Sequence, residues 1–426
     1  MTSFLLSTTA LAQTSVHGTG RASLTYSDNA FGARSDPLPG QRGPFATVYS
    51  QLGAGVLLVH EAPTALYEAG YGLDYSYYFD HPPEFDPNGF NNAVSIRGAF
   101  ELADTDRLTL AAGATSRTFA LYVLDRTRQG AGGVEVPAND TVILNLDWFE
   151  AWAHDFSDSL TGTQSSGAGL IFPVQPATPQ PWRYQVNAGY GLDLTLGQNA
   201  HGIFANGTFF SSVFEDAPAD PLQQGADEDR VLLSLIYRYR RDWDALWNST
   251  FSGGFSTEIQ PATQKTKTGP IGAASLNFVD IRFQGSLGVA HDTTVNLLAN
   301  QVFVRDEVNL AGSYSLSDVH PLRANAGVSA GINRVSQFES GAEERITTAQ
   351  ADASIGWYDD AISLILSYQH FRQFDAKSPT NLLGASQHNT LTLFAQGTFP
   401  SRIAPPVVVQ PPLRVDAAPD PRLTSD

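Results

Sequence analysis

The chemistry open to this chain rests on its carboxylates, its arginines and nine histidines, because it contains no cysteine. The absence of thiols removes disulfides, thiolate metal sites and cysteine nucleophiles together. Gly327, Ser329 and Gly331 match the G-x-S-x-G nucleophile pattern, which works only at a strand–elbow–helix turn. Here residues 324–335 alternate like a strand and no helical pattern follows, so the match is read as chance. No two histidines have the H-x-x-x-H spacing of a helical metal site, and His154 stands beside Asp155 at an expected turn. Glu215, Asp216, Asp220, Asp227, Glu228 and Asp229 gather oxygen ligands of the kind calcium takes, without the spacing of an EF loop. They read as a solvated acidic loop, as do the charges of 80–89. The expectation is no metal, no cofactor and no enzyme.

The net charge of −18 argues against nucleic acid, whose phosphates require a basic surface. Charged residues make up 16% of the chain, well under the roughly 25% of an average soluble protein. No apolar run approaches the roughly 18 residues of a transmembrane helix. Glycine (37) and aromatic residues (11%) favour strands and turns.

These charges must be positioned by strands, and the clearest is 182–196. Trp182, Tyr184, Val186, Ala188, Tyr190, Leu192, Leu194 and Leu196 share one parity; Arg183, Gln185, Asn187, Asp193 and Thr195 share the other. A period of two over that length predicts a strand with one greasy and one wet face. Strands of this length suit a bilayer-spanning barrel, whose tilted strands need about 9–11 residues. The fold class expected is therefore all-β, a transmembrane antiparallel β-barrel in the bacterial outer membrane with lipid as its surroundings.

Parity then assigns the charges. In 16–27, His17 and Arg21 oppose an apolar row. In 67–79, Glu68 and Asp74 oppose Tyr67, Tyr71, Leu73, Tyr75 and Tyr77. In 230–240, Arg230, Arg238 and Arg240 oppose Val231, Leu233, Leu235, Tyr237 and Tyr239. Arg or Lys facing lipid at midplane costs roughly 2–4 kcal/mol, so these charges are expected to line the lumen. Asp147, Arg183 and Asp193 join them. The six tryptophans, Trp148, Trp152, Trp182, Trp243, Trp247 and Trp357, fall near inferred strand ends and are expected to form an aromatic girdle.

Short connections, near 60–64, 104–106, 155–158, 197–199, 241–244, 291–293, 318–321 and 358–360, alternate with long ones. The long ones fall near 28–44, 80–91, 124–139, 173–181, 215–228, 259–269, 337–346 and 375–386. Short periplasmic turns and longer extracellular loops are how such barrels are built. The count is about 18 strands, with 16 as the alternative. Residues 272–290 read as one strand or two, and 305–307 as a short connection. Residues 1–12 read as a remnant signal peptide, 14–399 as the barrel and 400–426 as a Pro-rich periplasmic tail without fixed structure.

At Leu24, Thr25, Tyr26, Ser27, Asp28 and Asn29, followed by a Gly/Pro-rich loop and a long strand, the chain resembles outer-membrane barrels associated with exopolysaccharide secretion. These are the Wzp-type porins of myxobacteria. The likeness implies export of a secreted polysaccharide, with a periplasmic polysaccharide-export protein as partner. Residues alone leave three readings: a channel for a large hydrophilic solute, a general or small-solute diffusion porin, and a non-transporting barrel serving as anchor or assembly partner. A constriction loop folded into the lumen favours the second, a wide lumen carrying Tyr, Asn, Gln and paired charges along its wall favours the first, and a filled lumen favours the third.

Overall fold

The computed structural model describes residues 12–30, 35, 43–82, 86–118, 142–174, 182–213, 229–296, 301–317, 321–336, 343–359, 361–374 and 385–400. They form strands β1 (Gln13–Ser27), β2 (Thr47–Ala62), β3 (Ala65–Tyr78), β4 (Gly89–Ala103), β5 (Asp106–Thr118) and β6 (Val142–Ser157). The next six are β7 (Leu160–Val174), β8 (Trp182–Leu196), β9 (Asn199–Val213), β10 (Arg230–Asp242), β11 (Trp247–Gln260) and β12 (Lys265–Val279). Then come β13 (Phe283–Asn296), β14 (Gln301–Ser315), β15 (Leu322–Ser336), β16 (Glu343–Tyr358), β17 (Ile362–Gln373) and β18 (Ser386–Phe399). Every strand pairs antiparallel with its sequence neighbours in one 18-stranded sheet. β1 also pairs with β18, from Gly18 opposite Phe399 to Ser27 opposite Thr390, so the sheet closes and no edge is left.

The outer face is apolar on almost every strand. Leu52, Phe90, Ile96, Val186, Ile203, Leu235, Phe255, Val308, Val328, Leu366 and Leu393 all stand exposed on it. Soluble monomers rarely expose contiguous apolar patches beyond a few hundred Å². A belt around a closed barrel is stable only against hydrocarbon, where the ladder satisfies every backbone group. The inner face carries the polar parity: Asn187, Ser256, Glu258, Arg305 and Asn333 are buried there.

The ends of the strands follow local chemistry. Gly197, at φ +62°, makes the two-residue reversal between β8 and β9, a conformation an L side chain resists. In the β10–β11 turn, Asp244 accepts hydrogen bonds from the backbone N–H groups of Leu246 and Trp247, both at 2.8 Å.

The region 259–316 departs from the sequence reading. Residues 272–290 split between β12 and β13, the short turn lies at 280–282 rather than 291–293, and 305–307 sits inside β14. The expected long loop at 259–269 is a tight reversal over 261–264, with Gln264 at φ 53°. His291, Asp292, Arg305, Asp306 and Glu307 looked like turn formers. Instead they satisfy one another across adjacent strands, Asp292 with Arg305 on one face and His291 with Asp306 on the other. Residues 1–11 and 401–426, which hold the signal-peptide remnant and nearly all of the Pro-rich tail, lie outside the described residues. So does the acidic loop except Asp229.

Candidate functional site: the barrel lumen

Many of the charges on the inward row of the wall are held in pairs. Arg21 on β1 and Asp74 on β3 meet across β2. Both are register partners of Gly53, which has no side chain to keep them apart. The same device recurs seven strands on. Asp193 on β8 and Arg238 on β10 are both partners of Gly202 on β9, and the guanidinium reaches the two carboxylate oxygens at 3.0 and 3.1 Å. Arg238 also lies 4.4 Å above the ring of Phe204, a cation–π contact. Both contacts come from one guanidinium nitrogen, Nη2, and each is a charge-assisted hydrogen bond.

Further pairs complete the wall. Arg230 donates to Glu258 at 3.0 Å, and Arg240 to Asp242 at 3.0 Å. Arg107 holds both oxygens of Asp155, at 3.1 and 2.8 Å. Arg305 reaches Asp292 at 3.1 and 2.6 Å and Glu307 at 3.3 Å. Glu68, buried, stands opposite Arg97 on β4. His17, also buried, donates from Nδ1 to the carbonyl of Pro400 at 2.8 Å, which leaves Nε2 to accept from Ser15 Oγ. Arg183 lies on the inward parity of β8. Asp147, on β6, sits between Gly113 and Gly169 of the neighbouring strands.

The ten charged positions that parity selected therefore share one face, though they do not converge on a single point. Sequence reasoning missed Arg107, Asp155, Glu258, Asp292, Arg305, Glu307 and Asp352. Parity within β14 would have found Arg305 and Glu307, because Val308, Leu310 and Tyr314 define the opposite row. Reading 305–307 as a turn concealed it.

The interior differs from end to end. At the short-turn end lies a cavity of about 1210 Å³, lined by strands from β5 round to β16, among them Asp193, Arg238, Asn248, Asn277 and Asp352. At the loop end the inward row is buried: Tyr78, Phe210, Phe303, Ile346, Thr348 and Gln373 are all under 3% exposed. Tyr49 and Tyr78 stack there with ring centroids 4.8 Å apart. Buried inward residues also occur near the short-turn end around the closure, at His17, Val59, Glu68 and Thr398.

The tryptophans all sit on the outer surface or in a turn. Trp182 opens β8 at the loop end, while Trp243, Trp247 and Trp357 mark the short-turn end. Arg241 packs 4.1 Å over the Trp243 ring, an arrangement suited to the headgroup level. Trp148, and to a lesser degree Trp152, depart from the strand-end expectation. β6 runs on to Ser157, which puts Trp148 mid-strand, two residues before Glu150 on the same outward row. There Glu150 accepts a 2.8 Å hydrogen bond from Ser166 of β7. Gly327, Ser329 and Gly331 lie within β15, with no elbow beneath the serine.

A closed 18-stranded antiparallel barrel, apolar outside and lined by polar groups around an interior cavity, defines a transmembrane β-barrel of the outer membrane. No protein-family model matches the sequence, and no curated protein matches it. Among solved structures the chain is similar to OccAB3 of Acinetobacter baumannii, with a TM-score of 0.48 and 9% identity over 91% of this chain and 99% of that one. It is similar to OccK2 (OpdF) of Pseudomonas aeruginosa in complex with glucuronate, with a TM-score of 0.48 and 9% identity over 91% and 98%. It is also similar to OpdK of P. aeruginosa with vanillate, with a TM-score of 0.46 and 8% identity over 90% and 98%. No Wzp-type porin is among the solved structures named here.

Proposed function

We propose that this chain is a passive channel admitting small hydrophilic solutes across the outer membrane. The observation that carries the reading is the shape of the lumen. A cavity of about 1210 Å³ at the turn end, bordered by charged and amide side chains, gives way to a buried inward row at the loop end. A barrel of 16–18 strands has room for an aqueous passage, and narrowing at one end suits molecules that pass singly. A polymer in transit needs similar width throughout. Export of a secreted polysaccharide, the expectation from the sequence resemblance, therefore gives way to the small-solute alternative.

Two measurements test this. Folded protein in planar bilayers should give discrete conductance steps, and proteoliposomes should swell faster in a monosaccharide than in an oligosaccharide of four or more units. Silence in the bilayer would defeat any channel reading. Swelling rates that do not depend on sugar length would restore the polymer reading.

A further inference from the structure

On the outer wall of β6 and β7, polar side chains stand where acyl chains should. Glu150 lies seven residues from the turn end of β6 and eight from its loop end, on the outward row with Trp148 and Trp152. At about 3.3 Å per residue this is near the middle of the apolar band. Among the described strand residues, one other carboxylate, Asp306, faces outward away from the strand ends, and Arg334 and His291 hold it. Elsewhere the outward rows at this level carry residues such as Ala54, Ile96, Leu235, Val328 and Leu393.

Register brings a second polar group beside Glu150. Glu150 is the cross-strand partner of Leu110 on β5 and of Ser166 on β7. Gln164, two residues along β7, is the partner of Trp152 and of Tyr190 on β8. Glu150 and Gln164 are therefore diagonal neighbours, roughly 7–8 Å apart. Among the described residues Glu150 has one hydrogen bond, accepted from Ser166 Oγ at 2.8 Å, and the exposed Gln164 has none. The Trp148 indole N–H has none either, and its ring stands between Ala112 and Ala168, its partners on each side.

Hydrocarbon supplies no partner for any of these groups. Lipid tails are as apolar as leucine, so association in a membrane rests on close packing and on hydrogen bonds between polar side chains. Ionisable groups at this depth face protein or a wet cavity and are paired there. The β6–β8 face carries both halves of such a pairing side by side, an acceptor in Glu150 and a donor in the Gln164 amide. A surface that holds its own complement is what a two-fold contact between identical chains requires, because residue i then meets j while j meets i. The relief is self-complementary too: Trp148 and Tyr190, 44% and 48% exposed, project beside Ala112, Ala168 and Ala188. Aromatic anchors of this kind are enriched at interface centres.

We propose that the outward face of β6–β8 is where a second copy of this chain docks, the two barrels being related by a two-fold axis along the membrane normal. Glu150 of each copy accepts a hydrogen bond from the Gln164 amide of the other. An axis in that direction leaves both sets of loops on the same side of the membrane. The contact gives Glu150 a further donor and the amide its first acceptor, and each Trp148 ring packs against the alanines of the opposite wall. It lies outside both lumens, so it stands or falls independently of what passes through them.

Sedimentation equilibrium of the full-length folded barrel in density-matched detergent tests the contact. Wild type should show a monomer–dimer equilibrium. Glu150→Leu or Gln164→Leu should each raise the dissociation constant about tenfold, since each removes both symmetry-related hydrogen bonds. The double variant should lose no more than either alone, because the same interaction is removed twice. Glu150→Gln, which keeps an acceptor, should retain the dimer, and Val328→Ala on the far wall should leave it unchanged. The chain has no cysteine, so single introduced cysteines report the same contact in lipid vesicles, whether or not the leucine variants fold. Ala168→Cys should give a disulfide-linked dimer on mild oxidation, and Ala351→Cys, across the barrel, should not. Wild type that sediments as a monomer at every concentration overturns the contact. So does a dimer that Glu150→Leu and Gln164→Leu leave intact, or equal crosslinking from the two cysteine positions.

Discussion

Arg305 at the loop end of the lumen and Arg238 at the turn end are the same residue type on the same inward face, yet their settings differ. The Arg305 side chain is 4% exposed and holds both Asp292 and Glu307. Arg238 and Asp193 are 28% and 15% exposed and border the cavity. The contrast shows that one alternating ribbon can brace a barrel at one level and leave a wet path at another. The decisive variable is how much solvent reaches the pair. A screened pair near water contributes little, whereas removing one member of a dry pair strands a charge.

Arg305→Met breaks the comparison most forcefully. It leaves two carboxylates without their shared cation, and the expected loss is about 3–5 kcal/mol. Urea unfolding of the protein in lipid vesicles measures it. A loss under about 1 kcal/mol would mean that the loop end is as wet as the turn end, and the proposed narrowing would fall with it.

Gly202→Ala probes the device that lets the turn-end pair close. A Cβ there would sit 2.5 Å from Asp193 Oδ1 and 2.5 Å from the Phe204 ring. Phe204 is buried, so it cannot simply swing away. Overpacking of this kind costs about 1–3 kcal/mol. The variant should also alter conductance, because Arg238 must leave its place against Asp193. An unchanged conductance with unchanged stability would show that the glycine is incidental.

Most of this architecture is legible in the chain because a two-sided ribbon writes its fold at every second residue. Parity in 182–196 and 230–240 fixes both the strand and the direction of Asp193 and Arg238. Turn chemistry serves as a guide where Asp and Gly have no partner, as at Gly197. It misleads where they do, as at His291 and Asp292, whose partners are more than ten residues away in sequence and adjacent only in the sheet. The Arg–Gly–Asp bridges were hidden for a related reason. Sequence shows that Arg21, Gly53 and Asp74 face the same way, but only register shows that they lie in one row. The burial gradient along the lumen has no signature in parity, because Phe303 and Asn309 share a face and differ only in height.

Arg238→Met should cost less than Arg305→Met, about 1–3 kcal/mol, because it abandons the single carboxylate of Asp193 at the edge of the cavity rather than two carboxylates. The same unfolding measurement decides it. A cost matching that of Arg305→Met would erase the difference between the two ends.

The smallest expected effect is electrostatic. Of the charges lining the turn-end cavity, Arg107, Arg238 and Arg240 each have a carboxylate in Asp155, Asp193 and Asp242. Asp104, Asp158 and Asp352 line the same cavity with no ion pair among the described residues. Arg323, inward on β15 near this end, offsets one of them. The residual sign is negative, and a mouth lined by unpaired carboxylates concentrates cations. Under a potassium chloride gradient the reversal potential should report cation preference. Asp352→Asn should reduce that preference without inverting it, because two carboxylates remain and screening confines each to roughly 8 Å at physiological salt. Anion preference in the wild type would show that the paired arginines, not the free aspartates, set the field of the lumen.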